Sequence, residues 1–309
     1  MQTVLITGGT GLVGTMLAKK LQAKGYELII LTRKLPADNS LSKNRISYAQ
    51  WDIDRQSFDI AAIQKADYII HLAGAGVVNR KWTEAYKKEI QDSRTQSSLL
   101  IIDALQKNTN KVKAVISISA IGWYGADKDP VQPFTESDAS DNNFLGETCR
   151  LWEESIQPVG QLRKRLVIFR SGIVLSSDGG AFAEFRKPLR FGIASILGNG
   201  EQVISWIHID DLCRLFIAGI ENEQLSGAYN AVAPIPTTNK ALTLTLAKEM
   251  RGNFFIPMYV PGFILRLMLG DRSVEVLKSA TVSCEKLQKT GFSFLYPTIE
   301  AAIKSLNKK

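Results

Sequence analysis

The sequence predicts an α/β protein, with a Rossmann-type, doubly wound parallel sheet and a smaller C-terminal α/β substrate domain. Two patterns in the 309 residues support this fold class. First, short and continuously apolar runs alternate with segments whose apolar residues recur at helical spacing, as in parallel strands covered by helices on both faces. Second, a glycine-rich turn, TGGTGLVG at 7–14, joins the first apolar run to the first helical segment.

Strands and helices can be assigned in order along the first 176 residues. Residues 3–7 form an apolar, β-branched run, and residues 12–24 place Leu12, Met16 and Leu17 at helical spacing. Further strands are predicted at 27–32, 46–51, 67–72, 112–119 and 165–171, and a long helix at about 83–106. We therefore expect residues 1–176 to form a dinucleotide-binding domain.

The pattern changes after residue 176, where glycines interrupt the chain repeatedly. Residues 202–232 return to a strand–helix–strand order and are expected to rejoin the first domain. A smaller substrate domain is expected from 177–201 and 233–309. Within it, residues 254–269 contain two prolines and an arginine, so they predict a strand followed by a helix rather than a membrane span.

Composition and charge narrow the classes of protein and partner. Apolar residues make up 45% and charged residues 22%, which excludes disordered, collagenous and disulfide-scaffold proteins. The 38 Lys and Arg against 30 Asp and Glu give a net charge of +8 without basic blocks, which favours acidic small molecules over nucleic acid. Cys149, Cys213 and Cys284 are far apart and only two histidines occur, so we expect no metal site and a reducing, cytoplasmic environment. The first residues, MQTVLITGG, lack the pattern of a signal peptide.

The glycine turn predicts a dinucleotide site. Gly8, Gly11 and Gly14 form a G-x-x-G-x-x-G spacing, one residue longer than the Rossmann G-x-G-x-x-G. Such glycines allow a tight turn, a close approach of the pyrophosphate and close packing of helix on sheet, while the helix N-terminus faces the phosphates. The cofactor contacts expected in this turn are Thr7, Gly8, Thr10, Gly11, Leu12 and Val13.

Polar residues after the next strands indicate which dinucleotide binds. Arg33 lies nineteen residues beyond Gly14, where an acid usually binds the ribose hydroxyls of NAD, whereas an arginine suits a 2′-phosphate. We therefore expect NADP(H) in preference to NAD(H); the alternative is a solvated basic turn. Asp52 either accepts the adenine amino group or only caps its own turn. Backbone at two further strand ends is expected to pass beside the cofactor, at Leu72, Ala73 and Gly74 and at Arg170 and Gly172.

These motifs together resemble the short-chain dehydrogenase/reductase superfamily in its extended, epimerase/dehydratase branch. The segments that carry the resemblance are TGGTGLVG, the Asp52-Ile53 step, HLAG at 71–74, SIS at 117–119 and WIHIDD at 206–211. More narrowly, the chain resembles a group of uncharacterised epimerase family proteins that are labelled cell-division-inhibitor-like nucleoside-diphosphate-sugar epimerases. The segments that carry this narrower resemblance are KWTE at 81–84, DSR at 92–94, SAIGWYG at 119–125, SWIH at 205–208, and GFSF with YP at 291–297.

One part of the superfamily pattern is missing. The superfamily usually has Tyr-x-x-x-Lys about 25 residues after a Ser or Thr; the Tyr transfers the proton, and the Lys lowers the pKa of the Tyr and holds the ribose. Counted from Ser119, Leu145 stands at the tyrosine position and Cys149 at the lysine position. The resemblance therefore implies a cofactor site without implying the usual acid–base pair.

Three interpretations follow from this departure. In the first, the chain is an oxidoreductase or isomerase in which Ser119 polarises a substrate oxygen and Tyr124 donates the proton. Glu147 is the other candidate for the proton, and Tyr124 could instead be an aromatic ring packed in a loop. In the second, the chain binds NADP(H) as a sensor or regulator without turnover. In the third, the cofactor supports redox chemistry at Cys149, although a cysteine on a helix usually only packs.

Substrate contacts are predicted at Arg80, Trp82, Trp206 and His208. The alternatives are an ordinary surface loop for Arg80 and Trp82, and structural support of the cofactor domain for His208. We prefer the first interpretation, an NADP(H)-dependent reductase or epimerase for a small polar or nucleotide-linked substrate. No nucleic-acid, membrane or metal partner is expected, and the sequence leaves a homodimer open.

Overall fold

The computed structural model describes residues 1–36 and 45–307 and contains a mainly parallel central sheet with flanking helices, which confirms the predicted fold class. The strands of this sheet are β1 (Thr3–Thr7), β2 (Glu27–Thr32), β3 (Ile46–Asp52), β4 (Ser57–Phe58), β5 (Tyr68–His71), β6 (Ala114–Ala120), β7 (Arg165–Ser171) and β12 (Gly227–Ala231). The helices are α1 (Leu12–Ala23), α2 (Ile60–Lys65), α3 (Glu84–Lys107), α4 (Phe144–Ile156), α5 (Gly180–Leu189), α6 (Ile209–Glu221), α7 (Asn239–Arg251), α8 (Gly262–Leu269), α9 (Ser273–Leu277), α10 (Glu285–Gln288) and α11 (Ile299–Asn307).

The order of the strands places a crevice at the end of β1. The order is β12-β7-β6-β5-β1-β2-β3-β4, so the chain first moves from β1 outward to β3 and then continues on the other side through β5, β6 and β7. Thr7, at the end of β1, pairs with Leu31 of β2 and with His71 of β5. In doubly wound sheets, ligands bind outside the carboxyl ends of the strands where the direction of progression reverses. The glycine turn follows β1 at this point.

Helices cover the sheet on both faces because the strands are apolar on both sides. On one face, Leu17 of α1 and Phe216 of α6 are fully buried against β1 and its neighbours. On the other face, Ile101 and Leu105 of α3 pack with Ile156 of α4. The two buried layers hold α1 and α6 on one face of the sheet and α3 and α4 on the other.

The C-terminal part of the chain forms a separate core. Its strands are β8 (Ile173–Leu175), β9 (Ile193–Leu197), β10 (Val203–Ile204), β11 (Trp206–His208), β13 (Thr237–Thr238) and β14 (Ile256–Val260). They pair as β8 with β11, β9 with β14 and β10 with β13. Phe182, Trp206, Leu242 and Ile303 are buried together in this core. Across residues 1–36 and 45–307, the helices include none that is both long and apolar enough to cross a membrane.

The strands predicted among the first 176 residues and the long helix lie within two residues of their predicted bounds. The helix expected at 83–106 is Glu84–Lys107, and residues 254–269 form the expected strand and helix, β14 and α8. The sequence did not predict the short strands β8, β10 and β13. These strands contain two or three residues each and depend on partners distant in sequence, so local composition carries little information about them.

Candidate functional site

The glycine turn leaves no room for side chains at two of the three glycines that form the G-x-x-G-x-x-G spacing. Gly8 has a φ of +67°, and a Cβ built there would lie 2.7 Å from the backbone carbon and oxygen of Leu72. A Cβ on Gly14 would lie 2.3 Å from the carbonyl oxygen of Gly8. Gly11 is different, because it is exposed and a Cβ there would meet only the Gly8 oxygen, at 3.3 Å. Gly8 and Gly14 therefore serve packing, and Gly11 keeps the outer surface of the turn clear.

The N-terminus of α1 fits an anionic ligand. Gly11 is the N-cap residue, no side chain caps the helix, and the first turn contains no acidic residue. The first amide groups of a helix lack partners within the helix, and their dipoles favour negative charge. Thr10 and Gly11 are exposed, and Leu12 and Val13 are partly exposed. An uncapped helix start after a glycine-rich turn is the environment in which a pyrophosphate binds.

A buried hydrogen-bond chain joins β1, β5 and α3 beneath the turn. The hydroxyl oxygen of Thr7 accepts the amides of Leu72 at 3.1 Å and Ala73 at 3.2 Å, so its proton points to His71 Nδ1 at 2.8 Å. His71 Nε2 lies 3.2 Å from the hydroxyl of Ser98. Burial lowers the pKa of His71 to about 3, so the imidazole is neutral at neutral pH. These hydrogen bonds fix the backbone of residues 72–74 beside the glycine turn.

Arg33 and Asp52 lie at the same edge of the sheet. Arg33 is exposed just after β2, and its carbonyl oxygen accepts the Gln50 side chain at 3.4 Å. In the described residues, Arg33 has no ion pair with a carboxylate. Asp52 Oδ1 accepts the amides of Asp54 and Arg55, both at 3.0 Å. Asp52 therefore caps its own turn, the second of the two roles considered from sequence.

Ser119, Tyr124 and Arg170 meet in a buried polar network. Ser119 donates to the Glu153 carboxylate at 2.7 Å, and Arg170 donates to the same carboxylate through Nε and Nη2, both at 2.9 Å. Arg170 Nη1 donates to the Tyr124 hydroxyl at 3.0 Å, and this hydroxyl donates to Asn230 Oδ1 at 2.7 Å. Tyr124 has no exposed surface, and burial raises the pKa of Tyr124 to about 12. The Tyr124 hydroxyl is thus neutral and faces protein groups. Ser119 and Arg170 are paired directly across β6 and β7.

Leu145 and Cys149, the positions counted from Ser119 for the acid–base pair, lie close to the loop that follows β6. A Cβ built on Gly122 would lie 3.3 Å from Leu145 Cβ and 3.6 Å from Cys149 Sγ. Burial raises the pKa of Cys149 to about 12, so the thiol is neutral at neutral pH. Glu147 is on the outer side of α4, where hydrogen bonds from Arg150 lower the pKa of the carboxyl. Neither Leu145 nor Cys149 provides a proton-transfer group at the usual place.

The predicted substrate residues fall into two separate places. Arg80 is exposed and pairs with Glu89 at 3.2 Å, and the Trp82 indole donates to the Val77 carbonyl at 2.8 Å. The C-terminal part touches this loop, because Arg272 donates to the Val78 carbonyl at 2.8 Å. Arg80 is thus an ion-paired surface residue, and Trp82 is half-buried against its own loop.

Trp206 and His208 are buried instead. Trp206 has no exposed surface, and its indole donates to the Ile235 carbonyl at 3.1 Å. His208 is 1% exposed, its Nδ1 accepts the amide of Asp210 at 3.0 Å, and its ring lies 3.8 Å from the Tyr296 ring. The N-cap position of His208 on α6 favours the structural role considered from sequence.

Three polar residues of the site were missed in the sequence. Glu153 is the centre of the Ser119–Arg170 network, His71 supports the glycine turn, and Arg94 of α3 lies against Gly74. A signal was present for Glu153, because it follows Cys149 by four residues and therefore shares its helix face. Gly172 is packed against the carbonyl oxygen of Ser205, which a Cβ would approach to 2.7 Å, so its backbone lies where the sheet meets β11.

The chain is similar over its whole length to known proteins. Residues 4–150 match the NAD dependent epimerase/dehydratase family, and residues 260–306 match a domain of unknown function, DUF1731. An epimerase family protein of Staphylococcus aureus strain NCTC 8325 is 35% identical over 310 residues, with 100% of both chains covered.

Two solved structures extend the likeness to the fold. The crystal structure of the human epimerase family protein SDR39U1 (isoform 2) with NADPH is 28% identical, with a TM-score of 0.87 and 99% of both chains covered. A nucleoside-diphosphate sugar epimerase from Corynebacterium glutamicum is 30% identical with a TM-score of 0.77. That likeness covers 100% of this chain and 59% of the C. glutamicum chain.

Proposed function

Because the chain belongs to the epimerase family, in the extended short-chain dehydrogenase/reductase group, we propose that it binds NADP(H) and acts as a reductase or epimerase on a small polar or nucleotide-linked substrate. The observation that carries this proposal is the uncapped N-terminus of α1 above the glycine turn. The amides there would hold the pyrophosphate, and Gly11 leaves the approach open. The backbone of residues 72–74, fixed by Thr7, would line the cofactor on the β5 side.

The preference for NADP(H) over NAD(H) rests on Arg33. This side chain is exposed at the carboxyl end of β2, beside the glycine turn, and no described carboxylate neutralises it. A guanidinium suits a 2′-phosphate because it is always charged and offers paired donors. The human relative, which was crystallised with NADPH, gives independent support.

The side chains at the end of β6 would hold the substrate oxygen. When bound, the cofactor supplies hydride transfer at the nicotinamide. Ser119 gives its own proton to Glu153, so its oxygen would accept a hydrogen bond from a substrate hydroxyl. Tyr124 was expected to donate the proton, but its hydroxyl is enclosed between Arg170 and Asn230. We therefore assign Tyr124 to positioning Arg170.

The second candidate function is NADP(H) binding without turnover. It is favoured by one observation, the pair Leu145 and Cys149 at the positions of the usual tyrosine and lysine. Under this alternative the same glycine turn and Arg33 bind the cofactor, and the protein reports the state of the NADP(H) pool.

Cofactor titrations and a turnover assay test these proposals separately. We expect NADPH to bind more tightly than NADH, and Arg33→Ala to remove most of the difference; Lys19→Ala, which removes an exposed cation from α1, should change neither affinity. Equal affinities for NADPH and NADH in the unmodified protein would contradict the role of Arg33. The absorbance of reduced nicotinamide is then followed with sugar nucleotides and small carbonyl compounds. If any of them is turned over, Ser119→Ala should lower kcat/KM; binding with no turnover of any compound would favour the sensor.

A further inference from the structure

Arg94 of α3 is a partly buried cation held from three sides. Its Nη1 donates to the carbonyl oxygens of Ala75 at 3.0 Å and Ile90 at 2.8 Å. Its guanidinium carbon lies 4.9 Å from the centre of the Trp152 ring on α4. In the described parts of the chain, the hydrogen bonds of this guanidinium all leave from Nη1. Nε and Nη2 are therefore left as donors for a ligand.

The guanidinium lies directly against the backbone that borders the cofactor crevice. A Cβ built on Gly74 would lie 3.2 Å from Arg94 Cζ and 3.4 Å from Nη1. The preceding residue, Ala73, donates its amide to Thr7 at the end of β1. The absence of a side chain at position 74 thus brings a positive charge next to the segment that is tied to the glycine turn.

Arg94 has no carboxylate to balance its charge among residues 1–36 and 45–307. The contrast with Arg170 is informative, because Arg170 is paired at two points with Glu153. Burial lowers the pKa of the Arg94 guanidinium, which means that holding the cation here has an energetic cost. An uncompensated cation that a fold retains at a crevice indicates an anionic or hydroxyl-bearing ligand.

Arg94 is also next to the position that lacks its expected lysine. Cys149 occupies that position on α4, is 4% exposed, and is close enough to Arg94 that the guanidinium favours its thiolate form. Burial raises the pKa of Cys149 by more than this cation lowers it, so the thiol stays neutral. The region therefore carries a charge from α3 where the family pattern would place one on α4.

We propose that Arg94 binds the nicotinamide half of NADP(H) and replaces the missing lysine of the Tyr-x-x-x-Lys pattern. The proposal rests on the proposed function, because it assumes that the cofactor occupies the glycine turn. Nε and Nη2 would donate to the hydroxyls of the nicotinamide ribose, and Nη1 would keep residues 74–75 in place.

Two probes separate the halves of the cofactor. NADPH contains the nicotinamide riboside, whereas 2′,5′-ADP contains only the adenosine end with its 2′-phosphate. We expect Arg94→Met to weaken the binding of NADPH by about tenfold or more. The affinity for 2′,5′-ADP should stay within about twofold of that of the unmodified protein. Arg94→Lys should recover part of the NADPH affinity because it keeps the charge. The control Arg150→Met, which removes the partly exposed cation next to Cys149 in sequence, should bind both probes like the unmodified protein.

Several results would overturn the proposal. Unchanged NADPH affinity in Arg94→Met would show that the guanidinium does not meet the cofactor. Equal weakening of both probes would show that Arg94 only supports the backbone at Ala75. If Arg94→Met does not fold, Arg94→Gln, which keeps an N–H donor without the charge, must show the same selective loss. Failure of the unmodified protein to bind either probe would overturn the proposed function and this assignment together, whereas binding of both with no selective loss would overturn the Arg94 assignment alone.

Discussion

The guanidinium of Arg170 and the carboxylate of Glu153 form a two-point ion pair, with Nε and Nη2 each 2.9 Å from one carboxylate oxygen. Only 5% and 6% of the two side chains are exposed. Ser119 adds a third donor to the carboxylate at 2.7 Å, and the guanidinium carbon lies 3.6 Å from the centre of the Trp123 ring. The pair therefore connects β6, β7 and α4 directly below the loop that carries Tyr124.

The first prediction concerns this ion pair. Glu153→Gln should lower the free energy of unfolding by about 3–5 kcal/mol, because it leaves the Arg170 charge buried without compensation. Urea denaturation at neutral pH measures the loss. Glu154→Gln is the matched control: its carboxylate is next in sequence, 57% exposed and paired with Arg150, so its removal should cost at most about 1 kcal/mol. Similar losses in the two variants would contradict the structural role of the buried pair.

The second prediction concerns the packing of the glycine turn. Gly14→Ala should lower the midpoint of thermal unfolding and abolish NADPH binding, because the new methyl group would lie 2.3 Å from the Gly8 carbonyl oxygen, a backbone atom that cannot move alone. Gly160→Ala is the control, since a Cβ there would meet no atom within 4 Å. It should be as stable as the unmodified protein or slightly more stable, by up to about 1 kcal/mol. A Gly14→Ala protein that binds NADPH normally would refute the close approach.

The sheet and the cofactor turn could be predicted because their signals are local. The apolar strands, the helical spacing of Leu12, Met16 and Leu17, and the spacing of Gly8, Gly11 and Gly14 are all contained in short windows. Each window agrees with the global fold, and this agreement is the reason why the fold class followed from sequence.

The interior of the site could not be predicted in the same way. Tyr124 bonds with Asn230, which is 106 residues away, and Arg170 bonds with Glu153 on another element. Sequence position placed Tyr124 at the edge of the sheet, but only the folded chain shows which groups surround its hydroxyl. Burial of a polar side chain depends on all of its neighbours, so an exposed catalytic tyrosine and an enclosed one look alike in sequence.

The third prediction is a pH dependence of stability that His71 causes. The pKa of His71 is about 3 in the folded protein and about 6.5 when unfolded. Below the unfolded pKa, the unfolded chain therefore binds a proton that the folded chain does not, and stability falls as the pH falls from about 6.5 toward 3. Between pH 7 and pH 5 this group should remove about 2 kcal/mol of unfolding free energy. Urea denaturation at both pH values measures the change.

His71→Asn isolates the contribution of the imidazole. The variant is less stable at neutral pH, because it loses the contacts with Thr7 and Ser98. Between pH 7 and pH 5, the unfolding free energy of the variant should nevertheless fall by less than that of the unmodified protein. The difference between the two losses should be about 2 kcal/mol. An unchanged pH dependence in the variant would show that His71 is not the group responsible.

The last prediction distinguishes redox chemistry at Cys149 from simple packing. Burial raises the pKa of Cys149 and Cys213 to about 12 and that of Cys284 to about 11. Since the thiolate is the reactive form, the native protein should react slowly with a maleimide at pH 8, and unfolding should expose all three thiols to rapid labelling. Gln161→Cys, at an exposed position, provides a thiol that labels rapidly in the native protein. Rapid native labelling that peptide mapping assigns to Cys149 would favour the redox interpretation. Slow labelling would show that Cys149 is an apolar, packed side chain at the position expected for the lysine. Arg94 would then supply the positive charge at this end of the crevice.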